Sequence, residues 1–368
     1  MIRLLTALLL LMSLLPSSLA EDSPAYYEAP HQIVVSFTGD CTLGCTDSQR
    51  LDTKKGFEAV IQREGMAYPF AMVKEIFDAD DLTVVNLESV FYEHDANKAD
   101  KKYNFRAPCS YVDILRQGGV DAVSFANNHV LDYGIYGFQS TIDTLDAAGI
   151  PWFGVSSNES RTYIFEKDGI RLGFVSAYIG EYWGNREKTQ QCFQGLKDAG
   201  CSAIVGILHG GVEYDVLHDT GYVESMANSF IRYGADVVVG HHPHTLQGMR
   251  VENGRTTLWS LGNFVFGGNP EIRQNHAGES VIGTAIAQFT FSFDEEGAYL
   301  GHQLNLIPCH ISGHTNYNDY QPYPVEGSQA AAVLRSIQRD TQPRSLKLSP
   351  YVEGAGALQP FVPAPSDR

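Results

Sequence analysis

The chain is short of positive charge, of long apolar runs and of closely spaced cysteine pairs, and each shortage removes a class of function. Against 43 Asp and Glu there are 26 Lys and Arg, a formal net charge of −17. Such a surface repels nucleic acid and offers no electrostatic reason to lie on anionic lipid, so DNA and RNA are not expected partners. Beyond the N-terminus no segment approaches the about 20 apolar residues that a spanning helix needs. Six cysteines occur without a CxxC pair, which argues against a thiolate metal site. No internal repeat is present.

What is there begins with a leader. Arg3 supplies a short positive region, residues 4–15 an apolar core, and Ser18-Leu19-Ala20 a small-residue cleavage site. Residues 1–20 therefore read as a secretory signal peptide cut before Glu21, which predicts a periplasmic or cell-surface protein. An uncleaved N-terminal anchor is the alternative. An even number of cysteines in an exported chain predicts disulfides, with Cys192–Cys201 the first choice and Cys41–Cys45 the second.

The middle of the chain alternates short β-branched runs with helical spacing. Residues 33–37, 82–85, 121–126, 203–208 and 236–239 read as buried strands, and 70–78, 111–117, 137–148 and 223–233 as helices. That alternation predicts an α/β fold with a largely parallel central sheet. Hairpins are expected at Asp168-Gly169 and Asn253-Gly254, and a further turn near Glu295-Glu296-Gly297. These pieces suggest a second, mixed sheet. A helix is expected over 330–339, and residues 350–368, rich in Pro, Gly and Ala, read as a loose tail. The domain is placed at 31–315 and a partly disordered C-terminal extension at 316–368.

In open α/β sheets ligands bind beyond the carboxyl ends of the strands, and there the sequence sets its chemistry. Ser36-Phe37-Thr38-Gly39-Asp40 ends a strand on a carboxylate, although an isolated Gly-Asp is more often a turn. In Val84-Val85-Asn86-Leu87-Glu88, alternation puts Asn86 and Glu88 on one face, where a carboxylate can bridge two cations. Phe125-Ala126-Asn127-Asn128-His129, followed by Asp132 and Gly134, delivers amides and an imidazole that need partners when buried. The Asn carbonyl suits a divalent ion, and His129 can donate a proton to a leaving group. In His209-Gly210-Gly211-Val212-Glu213 the histidine ends an apolar strand, and Glu213 either supports it from the second shell or begins a helix. Gly240-His241-His242-Pro243-His244 offers three imidazoles in four positions, and Ser260-Leu261-Gly262-Asn263-Phe264 adds a pocket-lining amide. Mixed nitrogen and oxygen donors of this kind suit one or two Zn, Mn or Fe ions, and a pair of such ions can drive phosphoester hydrolysis.

These six blocks, in this order between residues 33 and 306, resemble the signature of the CapA family of poly-γ-glutamate capsule biosynthesis proteins. The resemblance implies a calcineurin-like metallophosphoesterase fold, a four-layer αββα sandwich of two mixed sheets flanked by helices. It implies Asp40, Asn128, His209, His242 and His244 as metal ligands, Glu88 or Asn86 at the bridging position, and His129 with Asp40 at the catalytic centre. Asn86, Asn127, Asp132, Glu213, His241 and Asn263 fall in the pocket or the second shell. The chain departs from the wider superfamily at Thr42, where an Asp-x-His pattern would place a histidine. A single-metal or weakened second site follows from that departure. The expected function is a metal-dependent hydrolase in capsule or envelope polymer biosynthesis, acting on an anionic polymer or phosphoester, with membrane synthase components as partners. The alternatives are a non-catalytic polymer-binding or export component, and amide-bond chemistry at the same centre.

Overall fold

A computed structural model describes residues 26–341, 351–352 and 356–366. The leader expected over 1–20 lies outside the described residues. The strands that matter below are, in chain order, β1 (His31–Thr42), β2 (Leu82–Leu87), β3 (Ala122–Ser124), β4 (Trp152–Val155), β5 (Tyr163–Lys167), β6 (Ile170–Tyr178), β7 (Ala203–His209), β8 (Val237–His241), β9 (Met249–Glu252), β10 (Arg255–Leu258), β11 (Asn263–Phe266), β12 (Gly283–Phe293) and β13 (Tyr299–His310). The helices are α1 (Phe57–Glu64), α2 (Val112–Gly118), α3 (Gly134–Ala148), α4 (Arg186–Asp198), α5 (Tyr222–Tyr233) and α6 (Gly327–Arg339).

The first sheet runs β13–β12–β1–β2–β3–β4, parallel from β1 to β4 and antiparallel at the β12–β13 side. The second runs β5–β6–β7–β8–β10–β9, parallel through its centre. Strand β4 belongs to both, pairing with β3 at one point and with β6 through Val155 and Ala177 at another. All three expected hairpin turns form, joining β5 to β6, β9 to β10 and β12 to β13, but the third hairpin pairs with β1 and so lies in the first sheet, not in the second sheet expected for it.

Three apolar layers show why the parallel strands are β-branched throughout: each is covered on both faces. Between the sheets, Val35, Phe37 and Val84 meet Phe174, Val205, Ile207 and Val239. Outside the first sheet, Val85, Leu87 and Val123 pack under Phe57 of α1, Ile114 of α2 and Phe138 of α3. Outside the second, Val175, Leu208 and Val238 pack under Phe193 of α4 and Phe230 of α5. The result is the four-layer αββα sandwich that the family resemblance implies. Each fully buried Val, Leu or Phe contributes about 1.5–3 kcal/mol to such a core.

Three expectations fail. All six cysteines are free thiols. Cys192 sits in mid-helix, and α4 continues to Asp198, moving about 1.5 Å per residue away from it, whereas a disulfide needs close Cα atoms. Cys41 and Cys45 instead face Thr38 and Glu58 respectively. The helix expected over 70–78 shrinks to a 3₁₀ turn, Tyr68–Phe70, and one short turn, Lys74–Phe77. The tail expected to be loose lays Ala357–Leu358 and Val362–Pro363 antiparallel on β13, covering that sheet edge. Two helices, α1 and α4, and the strands β4 and β11 escape the sequence reading. Among the described residues no helix is long and apolar enough to cross a membrane.

A histidine pins the two sheets together. His302 of β13 is fully buried, its two ring nitrogens 2.6 Å from the hydroxyls of Thr256 on β10 and Tyr299. Burial pushes its pKa down to about 3. An unfolded histidine protonates near 6.5, so the unfolded state gains the proton first. The stability His302 contributes is whole above that value and is lost progressively as the pH falls toward 3. Thermal melts across pH 7 to 4.5 should therefore show a steeper acid loss in the wild type than in His302→Gln. Equal slopes would remove His302 as a cause.

Candidate metal centre

Register brings the chemistry to one edge. Asp40 lies opposite Asn86 on β2 and opposite Asn263 on β11, Asn86 lies opposite Ser124 on β3, and His209 lies opposite His241 on β8. Parallel strands share their carboxyl ends, so Asn127–His129 emerges beside Asn86 and the His241–His244 segment beside His209. The chain approaches itself closely here. A Cβ on Gly39 would stand 2.3 Å from the Gly262 carbonyl oxygen, and that carbonyl accepts the Asp40 amide at 2.8 Å.

Asp40, expected among the ligands and catalytic residues, is fully buried, and protein groups engage both of its oxygens. Its Oδ1 accepts from Asn86 Nδ2 at 2.8 Å and lies 3.1 Å from His241 Nδ1. Its Oδ2 accepts the His242 amide at 3.3 Å and lies 3.1 Å from His244 Nδ1. Burial opposes its ionisation, but the bonds from His241 and His244 prevail and hold it well below the usual carboxylate range. Asn127 braces the neighbouring loops by donating to Asn86 Oδ1 and the Leu87 carbonyl while accepting the His129 amide.

Glu88 is the reverse case. It is completely buried, and neither carboxylate oxygen has a hydrogen-bond partner. Imidazoles surround it instead. Its Oε1 lies 3.3 Å from His209 Nε2 and 4.0 Å from both His129 Nε2 and His244 Nε2. The contact to His209 is short for an unpaired oxygen, but that nitrogen is already engaged by Asn128 Oδ1 at 2.8 Å. Burial, then the nearby charges of Asp40 and Glu213, raise the Glu88 pKa well above the usual range.

His242 Nδ1 is a second buried atom without a partner. Its residue has φ +101°, and His244 has φ +56°; both are strained conformations for histidine, of the kind that persists where surrounding structure imposes it. Burial and then the neighbouring His244 bring His242 to about 3, and burial together with the charge of His242 keeps His209 well below its ordinary value. Both rings are thus neutral at physiological pH, the form that ligates metal.

Glu88, His242 and His244 each offer a donor atom, all within 4.8 Å of one another. Glu88 Oε1, His209 Nε2 and Asn128 Oδ1 form a second group that shares Glu88 with the first. Donors at about 2.1 Å from one ion stand roughly 3 Å apart; the 3.3 Å and 2.8 Å contacts of the second group match that spacing, and the first group, spread within 4.8 Å, reaches it by small side-chain shifts, with Glu88 common to both.

The other expected residues are placed as follows. His129 Nδ1 is 2.8 Å from Asp132 Oδ2, and Asp132 also pairs with Lys101. Burial lowers the His129 pKa even against the pull of Asp132. Asn263 is buried with both amide atoms unpaired. Glu213 is exposed on its loop, and His209 is held by Asn128, Asn86 and Glu88 instead. The second-shell role expected for Glu213 is corrected to a distant charge on Glu88, because Gly210 and Gly211 carry the chain outward before it. Thr42 donates to the Glu88 carbonyl at 3.3 Å, so it serves the scaffold. Sequence reasoning missed Lys101, which bonds the Asn128 carbonyl at 2.7 Å, and the aromatic wall of Phe105 and Phe266 beside His129 and His244. Lys101 lies in a polar, charged run that carried no distinguishing spacing.

Comparison with known proteins agrees with the six blocks. A family described as bacterial capsule synthesis protein PGA_cap matches residues 34–268. The chain belongs to this family. Among curated relatives, the capsule biosynthesis protein CapA of Bacillus anthracis is 27% identical over 266 residues, 66% of this chain and 62% of that protein. The PGA biosynthesis protein CapA of Bacillus subtilis is 28% identical over 250 residues, 63% of this chain and 62% of its own length. The chain thus spans less than two thirds of these relatives. Among solved structures, the calcineurin-like phosphoesterase YfkN from Bacillus subtilis covers 84% of this chain and 97% of its own, at 13% identity and a TM-score of 0.47.

Proposed function

We propose that this chain is an exported metal-dependent hydrolase of phosphoesterase type that serves poly-γ-glutamate capsule or related envelope polymer synthesis. The observation that carries the reading is the Glu88 carboxylate, buried without a hydrogen bond among His129, His209 and His244. A buried carboxylate without compensation is costly, and a divalent cation supplies the compensation that the protein withholds. Glu88, His242 and His244 would hold one ion, and Glu88, His209 and Asn128 a second. When bound, such ions polarise a phosphoryl oxygen and lower the pKa of water. The remaining work falls to the chain. Asp40 and Asn86 fix the ligand imidazoles by hydrogen bonds, which sets ring orientation and affinity. Asp132 engages His129 Nδ1 and leaves Nε2 facing Glu88, placed to pass a proton to a departing oxygen. The capsule assignment draws on the names of the relatives, both of them capsule or polyglutamate biosynthesis proteins.

The test is elemental analysis of the purified protein followed by assay on a generic phosphodiester and phosphomonoester. His129→Ala is expected to retain bound metal and to lose about 10²–10⁴-fold in kcat, the usual worth of a positioned acid. Protein without metal, and no difference between the variant and wild type, would sink the hydrolase reading and favour a non-catalytic polymer-binding role.

A further inference from the structure

Next to the metal centre stands a cation that the centre does not use. Arg273 follows β11 on the loop leading to β12 and is half-buried in a chain where acids far outnumber bases. Among the described residues no carboxylate pairs with it. Its neighbours are two tyrosines, with the guanidinium 5.8 Å from the ring centres of both Tyr103 and Tyr214. It donates to the Tyr214 hydroxyl at 3.3 Å. A guanidinium carries five N–H donors, so this one bond leaves most of the fork unspent.

The position is built. Tyr214 adopts φ +65° and its amide donates to the Pro243 carbonyl at 2.7 Å, which ties it to the segment that carries His242 and His244. Its ring centre is 6.0 Å from that of His244. The Arg273 loop is fastened to the same place. The His276 amide donates to the Tyr214 carbonyl at 2.9 Å, and the Val281 amide donates to the Arg273 carbonyl at 3.0 Å. On the other side Tyr103 stacks on Phe105, which lies 4.5 Å from the His129 ring. Arg273 therefore bridges two walls of the site, one ending on the ligand His244 and the other on the proton donor His129. Lys102 lies over the Tyr103 ring, 4.8 Å from its centre, and adds positive potential at the same rim.

We propose that Arg273, braced between Tyr103 and Tyr214, is a substrate-selecting residue whose free fork receives a second oxyanion, a carboxylate or phosphate group set apart from the reacting bond. A planar fork suits either group bidentately. An overall acidic surface repels a polyanion, so a half-buried and unneutralised arginine beside the centre is what lets such a chain dock in one register. This inference rests on the metal-centre reading for the location of the reacting bond, but anion capture by Arg273 is measurable without it.

The experiment is isothermal titration of full-length protein with Mn²⁺ alone, with inorganic phosphate and with a short oligo-γ-glutamate, for the wild type, Arg273→Met and Arg273→Lys. Arg273→Met keeps the apolar stem and should leave Mn²⁺ affinity unchanged while weakening at least one anion about tenfold, the worth of a charge-assisted hydrogen bond. Arg273→Lys should recover only part of that loss, because it restores charge without the fork. Loss confined to oligo-γ-glutamate identifies a carboxylate polymer, and loss confined to phosphate identifies a phosphoester. Equal anion affinities in wild type and Arg273→Met, or no anion binding by the wild type, would overturn the proposal. Absence of Mn²⁺ binding with the anion difference intact would overturn the metal reading and leave this one standing.

Discussion

Glu88→Gln should strip the protein of bound metal and yet make the metal-free protein more stable. Both effects come from one fact: the Glu88 carboxylate is buried without a hydrogen bond, beside the charge of Asp40. With a cation present that charge is the shared anchor of both donor groups. Its removal should cost at least the 10–100-fold that loss of a merely supporting residue costs. Without a cation the carboxylate must either stay uncompensated or take up a proton. The pKa is raised in the fold, so the native state holds a proton that the unfolded chain releases above the ordinary glutamate range. The stability this residue contributes is present at low pH and is lost as the pH rises through its raised value. Glutamine has no such dependence. The gain in Tm of Glu88→Gln, measured in chelator, should therefore be largest near neutrality and fade toward pH 4. Unchanged metal content in the variant would refute the ligand role, and a lower Tm in chelator would refute the electrostatic account.

The second large effect should come from a glycine. A Cβ at Gly240 would stand 2.0 Å from the Trp259 carbonyl oxygen and 2.9 Å from that of Leu258. These are backbone atoms at the end of the neighbouring strand β10, so no side chain can swing aside. Gly240→Ala must push β8 away from β10, and the displaced strand carries His241 and His242. We expect a loss on the order of 3 kcal/mol, as for overpacking at a site that cannot relax, together with weaker metal binding. Gly195→Ala is the control. It lies within α4 with nothing within 4 Å of a built Cβ, and alanine there should raise stability by about 0.5–1 kcal/mol. Urea denaturation of both variants separates the cases, and similar behaviour would show that close approach at Gly240 is not limiting.

These outcomes bear on what a sequence reading can see. The strands and most helices were legible because their apolar periodicity answers to layers that cover both faces. The ligand types were legible because an apolar strand ending on Asn-Asn-His or His-His-Pro-His has no packing motive. What escaped was set by tertiary placement. Strand β4 is a short apolar run whose role as the seam between the sheets depends on partners distant in sequence. Glu213 looked like the support of His209, but two glycines swing it into solvent, and Asn128 from the turn after β3 takes that position. Arg273 carried no signal, since a single arginine in a polar loop becomes notable only when two distant tyrosines close around it. The free thiols have the same origin, because cysteine number is visible in a sequence and the separation of side chains is not.

The donor atoms come from both sides of the seam: Glu88 and Asn128 from the ends of first-sheet strands, His209, His242 and His244 from the second sheet. A cation seated among them would work as a clasp across the seam. Sliding of one layer past the other would register at the clasp first, because donor spacings tolerate far less shear than an apolar interface does. Metal occupancy in such a molecule is then a gauge of how well the two halves are aligned, and any partner that grips the outer helices could loosen or tighten the clasp without approaching it.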